Sequence, residues 1–276
     1  MSAAGTIVVD SVTHLGERGH GQVVVSGSHG GRYSALYSVG AGAVAVVLND
    51  AGVGKDGAGI SGLEAMQELG LGAAVVSYLS ARIGDAGDTL RNGTISHCNE
   101  VATAAGVRPD MAAAEAVELL AAAAGAPAAD NPTPELRPLR LVEDMEPPTV
   151  VCDSMSQARE DQAGRVVVSG SHGGDMGGRH APPGLLAAFF NDAGSGKERA
   201  GIARLPLLDE MGIAAATAGH LSARIGDGED TLRSGKITHV NRHGEQIGLR
   251  PGVAVEAAVR GLAASEASKR RGEQGA

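Results

Sequence analysis

The chain has 276 residues, enough for one large domain or two ordinary ones, with 43% hydrophobic and 20% charged residues. A formal charge of −9 and an aromatic content of 2% exclude the basic, aromatic-rich surface of a typical nucleic-acid-binding protein. Two cysteines exclude a disulfide framework, and no uncharged apolar run reaches the roughly 18 residues of a membrane span. We therefore expect a cytoplasmic protein that binds neither nucleic acid nor membranes.

The first half of the chain alternates between strand-like and helix-like segments. Short β-branched or apolar runs that end in Gly or polar residues indicate buried strands, and apolar residues at helical spacing followed by Gly indicate a helix. In chain order we predict strands over 21–28 and 43–50, a helix over 58–70, strands over 72–80 and 94–99, and a helix over 111–124. This alternation predicts an α/β fold with a largely parallel sheet.

The second half repeats the first. VVVSGSHGG occurs at 23–31 and at 166–174, and LSARIGD occurs at 79–85 and at 221–227. NDAGVGKDGAGI at 49–60 is matched by NDAGSGKERAGI at 191–202. The sequence thus predicts an internally duplicated protein of two similar α/β lobes related by pseudo-two-fold symmetry. Because LSARIGD is identical in both copies, we ask whether it builds a scaffold, a site or both.

Between the repeats lies a proline-rich stretch. Six of the 11 prolines fall between Pro127 and Pro148, which is typical of an extended linker. The predicted organisation is a first repeat over 1–126, a linker over 127–149, a second repeat over 150–265 and a disordered tail over 266–276.

The motif GSHGG follows a predicted strand in both copies. In open α/β sheets, ligands bind at the carboxyl ends of the strands, so polar residues at these ends are candidates for a site. Glycine lets backbone N–H groups approach a ligand, while histidine serves as acid, base or metal ligand. The alternative is a tight turn that contains a hydrogen-bonded histidine. The candidate nucleophiles and bases here are Ser28, His29, Ser171 and His172.

The motif NDAGxGK precedes a predicted helix, where free N–H groups favour an anion. Two of the four lysines, Lys55 and Lys197, occupy its last position. Each would be an anion anchor or, if desolvated, a base; a solvated lysine is the alternative. The same motif supplies the candidate substrate-binding amides Asn49 and Asn191 and the candidate metal ligands Asp50 and Asp192, either of which could instead cap a helix.

The two remaining motifs supply arginines and His–Asn pairs. Arg82 and Arg224 could grip a substrate carboxylate, although an internal Arg–Asp salt bridge explains LSARIGD equally well. In a strand, residues i and i+2 share a face, so each asparagine could orient the imidazole two residues before it. A structural histidine is the alternative. The pairs are His97 with Asn99, and His239 with Asn241.

No dinucleotide-binding fingerprint is present, so no nucleotide cofactor is expected. A divalent metal remains admissible, with His29, Asp50, His172 and Asp192 as ligands.

The inventory suits a small-molecule hydrolase that acts on an amide, a cyclic amide or a lactone with an anionic group, in a chain that forms a homo-oligomer. The alternatives are an isomerase or lyase that uses Lys and His for proton transfer, a non-catalytic two-lobed small-anion binding protein, and a purely structural duplicated module.

Overall fold

The computed structural model describes residues 3–125, 136–177 and 181–262. They form a mixed α/β fold with one five-stranded and one six-stranded sheet, both mainly parallel. The chain divides into two compact units. Unit 1 combines the chain up to residue 136 with 174–177 and 193–201, and unit 2 takes the remainder. The predicted tail over 266–276 lies outside the described residues.

The sheet of unit 1 has the order β1-β2-β3-β4-β5, in which β1 to β4 are parallel and β5 is antiparallel to β4. All four strands and both helices predicted in the first half are confirmed; β2 is shifted by one residue, and the other elements are shorter than predicted. The strands are β1 Gly5–Val9, β2 Gln22–His29, β3 Ala45–Asn49, β4 Gly72–Val76 and β5 Ile95–Cys98. The helices are α1 Arg32–Gly40, α2 Gly62–Glu68, α3 Ala86–Asn92, α4 Glu100–Ala104 and α5 Ala113–Ala123.

The sheet of unit 2 has the order β11-β10-β9-β8-β7-β6. Its strands β7 to β10 are parallel, and the two edge strands β6 and β11 are antiparallel to their neighbours. The strands are β6 Arg140–Val142, β7 Thr149–Cys152, β8 Val166–His172, β9 Ala187–Asn191, β10 Ala214–Ala218 and β11 Ile237–Val240. The helices are α6 Arg204–Glu210, α7 Gly228–Ser234, α8 Arg242–Gln246 and one over 255–262.

Two apolar layers cover each sheet. In β2, Val23 and Val25 point to the layer that contains α5, while Val24 points to the layer that contains α1 and α2. All three valines are fully buried. Strands covered on both faces need continuous apolar sequence, which explains why the central strands are unbroken Val and Ala runs.

The predicted linker range contains β6, which forms the outer edge of the second sheet.

Candidate functional site

The repeated LSARIGD segment fastens the loops at the carboxyl ends of the strands. In unit 1, the Gly84 N–H donates to the Gly27 carbonyl at 2.8 Å. The Ser80 hydroxyl donates to the Ser77 carbonyl and accepts from the Thr94 N–H, at 2.8 and 2.9 Å. Unit 2 makes the matching contacts, among them Gly226 N–H to Gly170 carbonyl at 2.7 Å. This segment is therefore a structural latch.

The first glycine of GSHGG permits this close approach. A Cβ atom at Gly27 would lie 2.5 Å from the Gly84 carbonyl carbon and 2.6 Å from the Asp85 nitrogen. Real Cβ atoms do not approach backbone this closely, so a side chain would push the latch away from the end of β2. The glycine is required by packing between β2 and the loop.

Arg82 is held in internal ion pairs. Its Nη2 lies 2.8 Å from Asp85 Oδ2, and its Nη1 lies 2.9 Å from Glu198 Oε2. In unit 2, Arg224 Nη2 lies 3.2 Å from Asp227 Oδ2. The internal salt bridge considered from sequence is thus present in both units, and the contacts give no separate support to an anionic substrate group.

Lys197 is paired with a buried carboxylate. Its Nζ lies 2.9 and 3.0 Å from the two oxygens of Asp88, whose side chain is 1% exposed. Burial alone would raise the pKa of Asp88, but hydrogen bonds from the Arg82 N–H, Asn92 and Lys197 outweigh it and lower this pKa to about 2. Both Asp88 oxygens thus contact the Lys197 ammonium, and these contacts give no support to a role for this lysine as a base.

The NDAGxGK loop satisfies its own N–H groups. Ala51 N–H donates to the Asn49 side chain, Gly52 N–H to the Asp50 carboxylate, and Val53 N–H to the Asp50 carbonyl. The next segment, Lys55–Ile60, is a short 3-10 helix rather than the start of an α-helix. The N–H groups of Ala51, Gly52 and Val53 therefore give no support to the predicted anion site.

Asn49 and Asn191 are buried, and the side-chain amide of each holds two backbone segments together. Asn49 Nδ2 donates to the Ala81 carbonyl at 3.1 Å, and Asn191 Nδ2 donates to the Ala223 carbonyl at 2.9 Å. Each amide joins the end of a central strand to the latch that follows the next strand. This role is structural in both units.

The predicted His–Asn pairs do not form. Asn99 caps α4, and its side-chain amide bonds to backbone groups. Its Oδ1 accepts from the Ala102 and Ala73 N–H groups, and its Nδ2 donates to the Leu71 carbonyl at 2.8 Å. Asn241 caps α8 and donates to the Ile213 carbonyl at 2.8 Å. Each strand ends one residue before its asparagine, so the expected i, i+2 geometry does not apply.

Ser28 and His29 do not contact each other as a nucleophile and its base would. Ser28 Oγ accepts from the Val12 N–H at 3.1 Å, whereas His29 Nδ1 accepts from the Gly31 N–H at 3.1 Å. Burial lowers the pKa of His29 to about 4, so its imidazole is neutral at pH 7. The bond to Gly31 places the ring proton on Nε2. Ser171 of unit 2 similarly accepts from the Met155 N–H.

The remaining predicted residues take different positions at the sheets. His172 is buried at the end of β8, opposite Asn191 in the register. His97 is exposed on β5, opposite Val75, while His239 is half-buried on β11. Lys55 begins the 3-10 segment that comes after the NDAG loop.

The predicted metal ligands do not converge. Asp50 accepts from the Tyr78 N–H at 2.9 Å and from the Ser96 hydroxyl at 2.8 Å. Across residues 3–125, 136–177 and 181–262, no group of three or more His, Cys, Asp and Glu side chains is arranged to hold a metal ion. We assign no step to a metal.

Unit 2 contains a His–Asp pair that the sequence motifs did not single out. Asp192 Oδ1 lies 3.1 Å from His220 Nδ1 and accepts the His220 N–H at 2.8 Å. Asp192 Oδ2 accepts from the Thr238 hydroxyl at 3.0 Å. Because a carboxylate only accepts, Nδ1 carries the proton of the neutral ring and Nε2 holds the basic lone pair.

His220 occupies the position of Tyr78 in the first repeat. It comes after β10 at the carboxyl edge of the sheet, and its side chain is 22% exposed. The sequence contained one signal for His220: it is a titratable residue near a strand end, at a position where the two repeats differ.

A cavity of about 480 Å³ lies elsewhere in unit 2, lined by Pro138, Leu139, Val151 and Cys152 among others.

Comparison with known proteins returns no match to a family, to a curated protein or to a solved structure. No helix in the described part of the chain has the length and apolar character needed to cross a membrane.

Proposed function

We propose that the protein is a small-molecule hydrolase of amides, cyclic amides or lactones, with His220 of unit 2 as the general base. The observation that supports this most directly is the Asp192–His220 pair at the carboxyl edge of a parallel sheet. A carboxylate that accepts the Nδ1 proton orients the ring and stabilises the imidazolium formed during proton transfer. The basic Nε2 would then remove a proton from an attacking water molecule.

The contacts favour this reaction over that of an isomerase or lyase with a lysine base, since Lys197 is paired with Asp88. They also favour a site in unit 2: Asp50 and Asp192 both accept the backbone N–H of the equivalent residue, but in unit 2 that residue is His220, whose imidazole also contacts the carboxylate. Ser28 and Ser171 are left out as nucleophiles, since each hydroxyl accepts a backbone N–H and no described base contacts it.

We also propose that the two units arose by duplication of one α/β unit that later diverged in activity. Support comes from the repeated motifs, which come after equivalent strands in both sheets. In this proposal the latch contacts were retained in both units because each unit needs them for folding, whereas the second residue after the fourth parallel strand diverged and is Tyr78 in one unit and His220 in the other.

The experiment screens the purified chain against lactones and cyclic imides by proton release, and against N-acyl amino acids by detection of the amine that hydrolysis frees. For any substrate found, we expect His220→Gln to lower kcat/KM by roughly 10²- to 10⁴-fold, the usual contribution of a general base. Asp192→Asn should cause a loss of similar order because it removes the group that orients the ring.

A second His–Asp pair in unit 2 provides a matched control. His243 Nδ1 lies 2.7 Å from Asp209 Oδ1, beyond the end of β11 and hence at the opposite edge of the sheet. His243→Gln should leave kcat/KM unchanged. Equal losses in the two variants would reject the proposal, as would tight binding of a screened anion without turnover, which indicates a binding protein.

A further inference from the structure

The two sheets differ at one edge. In unit 2, β6 adds antiparallel to β7, with Arg140 opposite Val151 and Leu141 opposite Val150. All four residues of β7 are buried as a result. The segment from Arg137 to Val142 therefore acts as a covering strand for that edge.

The covering strand is fixed by its arginines. Arg137 Nε donates to Asp153 Oδ2 at 2.8 Å, and its Nη2 donates to Asp227 Oδ1 at 2.6 Å. Arg140 forms an ion pair with Glu229. Guanidinium–carboxylate contacts of this kind combine charge with defined geometry. One arginine thus bridges two carboxylates that lie just past the end of β7.

Unit 1 has the same acidic pair, and no arginine among the described residues bridges it. Asp10 and Asp85 are the sequence counterparts of Asp153 and Asp227. Asp10 Oδ1 accepts from the Ala86 N–H at 2.9 Å, just as Asp153 Oδ1 accepts from the Gly228 N–H at 3.2 Å.

This pair is more open to solvent than its covered counterpart. The Asp85 side chain is 37% exposed, against 20% for Asp227, and Asp10 is exposed. Arg82 contacts Asp85 in the same way as Arg224 contacts Asp227, so this local ion pair does not account for the difference. The feature that differs is the covering arginine.

The strand next to the acidic pair is also open. Among the described residues no strand pairs with the outer side of β1, and Val8 is 41% exposed where its counterpart Val151 is 5% exposed. Proteins protect edge strands with lysine, proline, bulges or a cover, because free N–H and C=O groups invite pairing. The sequence GTIVV of β1 contains no lysine or proline.

We propose that the outer edge of β1, together with Asp10 and Asp85, is a docking site for an extended, arginine-bearing segment of a partner protein. The segment would add as an antiparallel strand, and its arginine would bridge the two carboxylates as Arg137 does in unit 2. Backbone pairing supplies affinity in such complexes, and the side chains supply specificity.

The structure also limits the partner's sequence. The counterpart of Glu229 in unit 1 is Gly87, so the acid that pairs with Arg140 is missing. A Cβ atom at Gly87 would lie 2.8 Å from Arg91 Nη1, which places a cation where the acid stands in unit 2. The docking segment therefore carries one arginine, at the position of Arg137, and an uncharged residue at the position of Arg140.

The test uses the covering strand itself as a probe. A fluorescein-labelled peptide of residues 136–143, LRPLRLVE, is titrated with the full chain and followed by anisotropy. We expect saturable, salt-sensitive binding and hydrogen-exchange protection at 5–9. An Arg137→Ala peptide should bind at least about tenfold more weakly, whereas an Arg140→Ala peptide should bind equally well or better.

Two protein variants locate the site. Asp10→Asn keeps an oxygen for the Ala86 N–H but removes the charge, and it should weaken binding at least about tenfold. Glu118→Gln removes an exposed charge on α5 and should have no effect. Protection at 149–152 instead of 5–9, or equal binding by the Arg137→Ala peptide, would overturn the proposal. A dimer with 5–9 already protected before peptide is added would replace it with self-pairing.

Discussion

One face of each sheet is filled by different means in the two units. In unit 1, α1 lies over the sheet and buries Ala35 and Val39 beside Leu48. In the matching stretch of the second repeat, residues 174–177 and 181–186 form no helix. That face is filled by larger side chains, in particular Phe190 at the position of Leu48.

The equivalent first residues of α2 and α6 show how a helix in unit 1 is replaced by large side chains in unit 2. Gly62 opens α2, and a Cβ there would lie 2.7 Å from the Cβ of Ala35 in α1. Its counterpart Arg204 opens α6, is 1% exposed, and stacks its guanidinium 4.8 Å from the Phe190 ring centroid. Where a helix packs closely, a glycine is required; where no helix is present, an arginine and an aromatic ring fill the space.

The largest expected effect is on the apolar face of unit 2. Phe190→Ala should lower the free energy of unfolding by about 3 to 5 kcal/mol, because it leaves a cavity and removes the ring beneath Arg204. Phe190→Leu, which restores the residue of unit 1, should cost clearly less. Urea unfolding followed by circular dichroism measures both. Equal losses would show that the cost comes from the missing ring and that the cavity adds nothing to it.

An ion pair should respond to pH where an apolar face does not. Asp88→Asn should cost about 2 to 3 kcal/mol at pH 7, since the folded-state pKa of Asp88, about 2, lies below its unfolded value. The stability from this depressed pKa is present above about pH 4 and is lost as the pH falls towards 2. The difference between wild type and variant should shrink over that range, whereas the cost of Phe190→Ala should persist wherever both proteins still fold.

The contact between α1 and α2 should tolerate no added methyl group. Gly62→Ala would bring a Cβ to 2.6 Å from the Gly30 carbonyl, and it should destabilise unit 1 by about 1 to 3 kcal/mol. Gly261→Ala is the matched control, because a Cβ there meets nothing within 4 Å and the residue lies in a helix. This control should be neutral or slightly stabilising. Loss of hydrogen-exchange protection in α1 of the Gly62→Ala variant would locate the damage.

The smallest effect concerns α1 alone. Tyr33 and Tyr37 pack with ring centroids 5.7 Å apart, and burial, together with the smaller effect of the nearby Tyr37, raises the pKa of Tyr33 to about 12. Tyr33→Phe keeps the ring and should change stability by less than about 0.5 kcal/mol. An absorbance titration of the folded protein should lose the tyrosine that ionises near pH 12. If the lost phenol instead ionises near its ordinary value of about 10, the Tyr33 side chain is open to solvent.

The sequence alone determined β2 to β5, the two helices predicted in the first half and the α/β class, but not β1 or β6. Alternating apolar runs and glycine stops are local signals, and local signals are sufficient to place β2, β3, β4 and α5. Position relative to strand ends was also readable, since Ser28, His29 and Asn49 lie at the carboxyl edge as predicted. The partners of these side chains were not.

Only the tertiary structure decided what the polar motifs do. Asn99 reaches Leu71 and Ala73, and Lys197 reaches Asp88, across distances in sequence that no local pattern encodes. The Asp192–His220 pair was missed for the same reason, because its members lie just past the ends of two successive strands, β9 and β10. A hydrogen bond between residues distant in sequence depends on strand register and on the path of the loops. The sequence therefore predicted which polar groups lie at the strand ends, whereas only the tertiary structure determined their partners.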